Sequence, residues 1–257
     1  MSVRPLLLVP FVAACAGEPT LQGLVVDVWG NPIEGATVVV EGLAERPLTD
    51  HAGLFEVPLP PAGHVRLKAG REGYVQDHLE FDIPEDTALL RRPVIELFPK
   101  PEDPGFYVVG ISEYERLDSA GVRQLSNPVE TVRGVGATGP AAAVGPNLRV
   151  LFHTPLKMDQ VMRLNVQLHE LNLRSRMDMA GPMGMTPIDV NLYVSARRVP
   201  IDIQPLRSRH DYLIVGKVDL EPGLYAFDTQ GLLTATQPEA FNQVPEPLRV
   251  AYPFEIR

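Results

Sequence analysis

The sequence predicts an all-β protein built as two tandem antiparallel β-sandwiches. Three observations carry this. Apolar and polar residues alternate in runs of strand length, with turn residues interrupting them about every 8–12 positions. Proline and glycine are dense, at 26 and 21 of 257 residues, and this density breaks helices and favours short strands joined by turns. No long stretch holds an apolar period of 3.6 residues, the signature of an amphipathic helix.

The elements follow in order. "LQGLVVDV" runs into the turn "WGNP", where glycine tolerates positive φ and proline presets the next φ. "IEGATVVVEG", "RPLTDHAGLFEVPLP", "GHVRLKAGREGY", "QDHLEFDIP" and "LRRPVIELFP" complete a first sandwich over residues 20–99. Within it Asp50-His51-Ala52-Gly53 reads as a turn capped by the Asp50 side chain. Proline and charge crowd "FPKPEDPG", so 100–104 reads as a short stiff linker.

Residues 105–257 then form the second sandwich. In "MRLNVQLHE", Met162, Leu164, Val166 and Leu168 face one way and predict a half-buried strand. "IDVNLYVSA" repeats the pattern with Ile188, Val190, Leu192 and Val194, and "VPIDIQP", "DYLIVGKVDL" and "LEPGLYAFD" follow. "QPEAFNQV" predicts one helical turn with Pro238 near its start. The chain closes on "LRVAYPFEIR", with Leu248, Val250, Tyr252, Phe254 and Ile256 alternating. "RGVGATGPAAAVGPN" (133–147) has neither pattern and is expected to be a mobile loop.

"GLVVDVWGNPIEGATVVVEG" followed by "TDHAGLFEVPLPPAGHVRLKAGREGY" resembles the carboxypeptidase regulatory-like domain. Gly23, Val25, Asp27, Gly30, Pro32, Gly35, Ala36, Val38, Thr49, Asp50, Gly53, Phe55, Gly63, Gly73 and Tyr74 all stand in register with that family's pattern. The resemblance covers about a third of the chain. It implies a transthyretin-like Greek-key sandwich of about seven strands. It also implies that these positions are structural and that the domain is a non-catalytic spacer or docking module.

The N-terminus sets the compartment. Arg4 is followed by the apolar run "PLLLVPFV" and then "AAC". A positive start, a short apolar stretch and small residues mark a secretory signal, and the run is too short to span a bilayer. "VAAC" resembles the lipobox of bacterial lipoproteins. That resemblance implies a signal peptide at 1–14, lipidation of Cys15, and a tether at 15–19. It places the protein on the bacterial cell envelope, at the outer membrane, on its periplasmic or surface face. Ala16, in place of aspartate, lacks the inner-membrane retention signal of that family. The expected partners are the membrane, through the lipid anchor, and another envelope protein.

Chemistry is sparse. Net charge is −9 with no basic cluster in the sequence, which argues against nucleic-acid binding. Cys15 is the one cysteine, so no disulfide framework forms within the chain. No metalloprotease, nucleophile-elbow, phosphate-loop or dinucleotide motif occurs, and no catalytic residue, metal or cofactor is assigned. The histidines at 51, 64, 78, 153, 169 and 210 show no metal-ligand spacing and read as scattered surface residues. The acidic stretch "EFDIPED" reads as a solvated turn, and Trp29 as a packing or interface aromatic.

Met177, Met179, Met183 and Met185 crowd into one short segment. Thioether sulfur suits Cu(I), with His169 or His210 as added nitrogen donors. A flexible apolar loop over a sandwich edge is the plainer reading. The expected function is therefore a non-catalytic, membrane-anchored envelope lipoprotein serving as a structural or protein-binding module. The alternatives are an extracytoplasmic copper-handling protein using the Met177–Met185 loop, and an accessory enzyme acting on cell wall or carbohydrate.

Overall fold

The structure, a computed structural model, describes residues 18–136, 142–181, 184–207, 210–234 and 238–257. The fold is all-β. The N-terminal sandwich comprises β1 (Thr20–Asp27), β2 (Thr37–Val40), β3 (Leu54–Pro58), β4 (Gly63–Gly70), β5 (Tyr74–Val75), β6 (Asp77–Ile83) and β7 (Val94–Pro99). One sheet has the order β3-β1-β7-β5 and the other β2-β4-β6. Period-two burial follows the sequence pattern: Val38 and Val40, Val65 and Leu67, and Ile95 and Leu97 all point into one apolar core.

The turn residues act as the sequence suggests. Asp27 Oδ1 accepts from the backbone N–H of Trp29 and of Asn31, each at 2.9 Å, and its Oδ2 accepts from Asn31 Nδ2 at 2.9 Å. Asp50 Oδ1 accepts from Ala52 N at 2.9 Å and Leu54 N at 2.8 Å. Gly53 has φ +74°, and a Cβ there would stand 2.5 Å from the carbonyl oxygen of Val25. Only glycine meets both conditions. Thr49 is buried, with its hydroxyl donating to Ile33 O and accepting from Ala36 N at 2.8 Å.

The C-terminal body follows with β8 (Gly105–Val109), β9 (Tyr114–Arg116), β10 (Ala120–Ser126), β11 (Thr131–Gly136), β12 (Ala143–Val144), β13 (Arg149–His153), α1 (Met158–Leu164), β14 (Gln167–Gly181), β15 (Gly184–Val199), β16 (Ile201–Pro205), β17 (Asp211–Gly216), β18 (Gly223–Asp228), α2 (Pro238–Gln243) and β19 (Val250–Ile256). A five-stranded sheet, β16-β17-β13-β8-β9, lies over a seven-stranded one, β10-β11-β15-β14-β18-β19-β12. Between them Phe106 stacks on Phe152 and Phe227, with ring centroids 4.4 and 5.0 Å apart. Tyr225, Phe254 and Ile256 fill the rest of that layer.

The larger sheet curls until β10 returns to β19 through Ala120↔Ala251 and Gly121↔Val250. Six strands thereby close a barrel, with β12 on the remaining edge of β19. Val122, Val135, Leu171, Ala226 and Ala251 share its interior cluster with Leu232, Leu233 and Phe241 from the segment after β18. Among the described residues no helix is long and apolar enough to cross a membrane.

Three local expectations are corrected. Residues 162–164, expected to open a strand, instead end the helix α1 (Met158–Leu164), and β14 begins only at Gln167. Met158, Val161 and Leu164 recur at helical spacing and pack on the core between the sheets, whereas Met162 is 62% exposed. The Gln160 side chain accepts from Lys157 N at 2.9 Å, and Asn165 ends the helix at φ 50°. Next, the methionine-bearing segment is not a loop, because its described parts are paired strand in β14 and β15. Thr186 and Ile188 alternate and are β-branched, which suits a pleated ladder, whereas Val190 falls in the irregularity where the register shifts. Finally, the segment 133–147 is strand at both ends, in β11 and β12, and its central 137–141 lies outside the described residues.

Candidate functional site

The five-stranded sheet contributes to two apolar clusters, one on each face. Leu151 and Tyr107 turn away from the phenylalanine layer toward the N-terminal sandwich, where they meet Val28, Val75 and Phe98. Trp29 fastens this seam: its indole N–H donates to Gly110 O at 3.1 Å, and its ring meets Tyr114 edge-on at 5.2 Å. Arg149 reaches Glu96 at 2.5 Å and lies over the Phe98 ring at 5.6 Å. The Tyr114 hydroxyl is buried without a hydrogen-bond partner, and burial raises its pKa above the usual phenol range.

Two adjoining cavities open along this seam. One, of about 700 Å³, is lined by Lys68, Arg71, Glu72, Tyr74, Lys100 and Arg207, among others. The second, of about 550 Å³, shares Tyr74, Gln76 and Lys100 and adds Glu102, His153, His210 and Asp211. His153 and Asp211 are register partners on β13 and β17. His153 Nδ1 lies 2.6 Å from Asp211 Oδ1, and the carboxylate is almost wholly buried. Clefts between packed units are the usual place for ligand sites.

The barrel interior holds a second polar group. Gln167 and His169 on β14, Ser195 on β15 and Asp228 on β18 come together there. His169 Nδ1 shares a hydrogen bond with Ser195 Oγ at 2.9 Å. Its Nε2 stands 3.7 Å from Asp228 Oδ2, too far for a hydrogen bond, and has no partner. Asp228 instead accepts from the backbone N–H groups of Leu232 at 3.0 Å and Leu233 at 2.8 Å. Burial pushes His169 down to about 4 and Asp228 up to about 6. The residue types match a nucleophile–base–acid set, but the geometry does not. The imidazole is fully enclosed, and its free nitrogen fails to reach the carboxylate. Its visible work is structural: Asp228 ties down the segment that fills the end of the barrel.

The third feature is an arm. Strand β14 pairs with β18 only through residues 167–171, and β15 pairs with β11 only through 192–194. Beyond a register shift between Arg174 and Arg176, the stretches 176–181 and 184–189 pair with each other and with no third strand among the described residues. Asn127 Nδ2 donates to Asp178 O at 2.6 Å, and Glu130 pairs with Arg174 at the base. Met185 and Ile188 are exposed on this arm, and Leu173 is exposed just before it.

The sequence-predicted residues fall as follows. Cys15 and Met183 lie outside the described residues. Met177 pairs with Ile188 and Met179 with Thr186, while Met185 pairs with Ala180. Directly paired residues share a face, so Met185 points to the face opposite Met177 and Met179. The described sulfurs do not converge, and neither His169, inside the barrel, nor His210, at the seam, joins them. His169 and His153 are buried or nearly so, which corrects the reading of all six histidines as surface residues. Trp29 is an interface aromatic as expected. Asp86, in the acidic stretch, accepts from Ala88 N at the start of a 3₁₀ turn.

Sequence reasoning missed the seam cations, the His153–Asp211 pair and the barrel polar group. Their members come from chain segments tens of residues apart, and only strand pairing joins them. No local spacing could have marked them.

A four-plus-three sandwich of seven strands with aspartate-capped turns defines the N-terminal part as a β-sandwich module. Residues 20–91 match the family model of the carboxypeptidase regulatory-like domain, a non-catalytic module. No curated protein matches the chain.

Proposed function

We propose that this protein is an extracytoplasmic module that binds another protein of the cell envelope through the β14–β15 arm, held at the membrane by lipid on Cys15. The arm carries the reading. A two-stranded ribbon alone is marginal in water, yet this one extends past its last neighbouring strand with Met185 and Ile188 exposed. Exposed strand edges readily add a further strand, and methionine adapts to varied partner surfaces. The regulatory-like match at 20–91 supports a binding role rather than catalysis. The "VAAC" motif supports the anchor.

A photo-crosslinking residue at position 186 or 188, introduced into the full chain in cells, tests the arm. A single discrete protein adduct is expected, absent when the crosslinker sits at exposed Arg123 instead. Equal patterns at both positions would overturn the arm reading. Cys15→Ser tests the anchor separately: the protein should move from the detergent to the aqueous phase on phase partition. Two or more acyl chains are needed for stable attachment, so loss of the cysteine should release it entirely.

A further inference from the structure

Four cations meet at the seam of a chain whose net charge is −9. Lys68 lies on β4, Arg71 in the turn after it, Lys100 just beyond β7 and Arg207 just beyond β16. All four line the cavity of about 700 Å³, and Glu72 is the sole carboxylate among its described lining residues. None of the four makes an ion pair within 4.0 Å among the described residues. With 32 acidic residues available, cations left unpaired together call for an explanation.

Their placement is fixed by backbone. Lys100 N donates to Gly73 O at 2.9 Å, and Arg207 N donates to Gln76 O at 3.3 Å. Tyr74 and Val75 pair with Pro99 and Phe98. Arg71 Nη1 donates to Gly35 O at 3.1 Å. A Cβ at Gly35 would come within 2.6 Å of that same nitrogen, so glycine there leaves room for the guanidinium. The walls thus come from both the N-terminal sandwich and the C-terminal body.

We infer that this cavity binds a phosphate-bearing ligand. Four cations against one carboxylate leave an excess of three positive charges. That suits a group carrying two or more negative charges and exceeds what one carboxylate needs. Guanidinium forks match phosphate oxygens in bidentate fashion, and two of the four cations are arginines. The adjoining cavity of about 550 Å³ carries Glu102 and Asp211, which repel an anion. With His153 and His210 it suits the hydroxyl-bearing remainder of the same ligand. Charged and polar side chains thus run along both cavities, with phosphate at the Arg71–Arg207 end. A phospholipid headgroup and a soluble sugar phosphate share this chemistry. The cleft is separate from the arm and does not depend on the reading of it.

Isothermal titration of the full chain with inorganic pyrophosphate tests the site. One equivalent should bind, with affinity falling as salt rises. Arg71→Gln and Arg207→Gln should each weaken binding by about tenfold or more, the worth of a charged hydrogen bond. Arg123→Gln, exposed on β10, should leave it unchanged. Thermal melts check that the variants fold, and Lys100→Gln replaces any that does not. Glucose 1-phosphate and dihexanoylphosphatidic acid then separate the sources, the tighter binder naming the class and equal binding marking the phosphate group alone. No pyrophosphate binding above a sodium chloride control of equal ionic strength, or unchanged affinity in the cleft variants, would overturn the inference.

Discussion

The two interiors of this molecule are built by opposite rules. The N-terminal sandwich buries an apolar layer of valines, leucines, isoleucines and Phe55, and its polar groups serve turns at the rim. The six-stranded barrel encloses a mixed interior in which buried Gln167, His169 and Asp228, with half-buried Ser195, sit beside Leu171 and Ala226. An apolar interior draws its stability from area and packing. A polar one depends on each donor finding its acceptor, and here one nitrogen, His169 Nε2, finds none. The first interior should therefore respond to volume and the second to protonation.

The largest expected effect tests the volume side. Phe55 is 3% exposed, and its ring lies over Gly23, where a Cβ would stand 2.1 Å from the ring. Phe55→Ala should cost about 3–5 kcal/mol in denaturant unfolding, as for other buried aromatics. Gly23→Val should also destabilise, because the ring has to leave its place. A cost below about 1 kcal/mol for Phe55→Ala would mean that the sandwich collapses freely around the hole, and the contrast would lose one side.

The seam between the two comes next. Trp29 contributes an edge-on ring contact with Tyr114 and a hydrogen bond to Gly110 O. Trp29→Ala should cost about 2 kcal/mol, combining lost area, ring contact and hydrogen bond. It should also split a single calorimetric transition into two. A fragment of residues 18–104 should melt cooperatively yet bind a hydrophobic dye, because Val75 and Phe98 lose their cover. A dye-silent fragment would show that the seam contributes little.

Protonation probes the barrel. As pH falls from 6 toward 4, folded Asp228 takes up its proton before the unfolded chain does, since its value is raised from 3.8 to about 6. Folding is stabilised by that uptake. His169, lowered from 6.5 to about 4, does the reverse: the unfolded chain takes the proton first, and stability falls. The two slopes, each at most about 1.4 kcal/mol per pH unit, oppose each other across the same window. The intact pair should therefore give nearly flat stability between pH 4 and 6 from this source. Asp228→Asn should uncover the His169 slope, so that the protein weakens on acidification. His169→Gln should uncover the Asp228 slope, so that it strengthens. Parallel pH profiles for both variants would remove the barrel from the comparison.

The same contrast explains what the sequence made legible. Strand periods, the Asp27 and Asp50 turns and the glycine at 53 are local, so the N-terminal sandwich could be read residue by residue. Strand β19 and the helix starting at Pro238 were legible for the same reason, although Leu248, expected in that strand, lies exposed in a 3₁₀ turn before it. Closure of the barrel was not, because it rests on the short contact of β10 with β19 and nothing local announces it. Which face of β14 turns inward depends on that closure, so a histidine at 169 looked like any surface histidine. Strand β13 is buried on both faces, so its sequence loses the alternation that marks a sandwich strand. The seam cations were hidden in turns and strand ends that meet only in three dimensions.

The smallest expected effect falls on the arm, which belongs to neither interior. Replacing Met177, Met179 and Met185 with leucine keeps volume and apolarity, and such swaps usually cost less than about 1.5 kcal/mol each. Met177 is 2% exposed and should account for most of the loss, since Met185 is 49% exposed. Thermal melts of single variants would rank them. A Cu(I) titration under reducing conditions asks whether the sulfurs act together. Pairing divides them between the two faces of the arm, so the leucine variant should take up as much copper as the native chain. Saturation at one equivalent that vanishes in the leucine variant would require the arm to rearrange until its sulfurs meet. Peroxide offers the finer test. Sulfoxide formation at exposed Met185 should leave the melt unchanged, whereas at buried Met177 it places a polar group where an apolar one packs and should loosen the arm. If oxidation at both positions acts alike, Met177 is not packed in solution, and the arm is as open on that face as on the other.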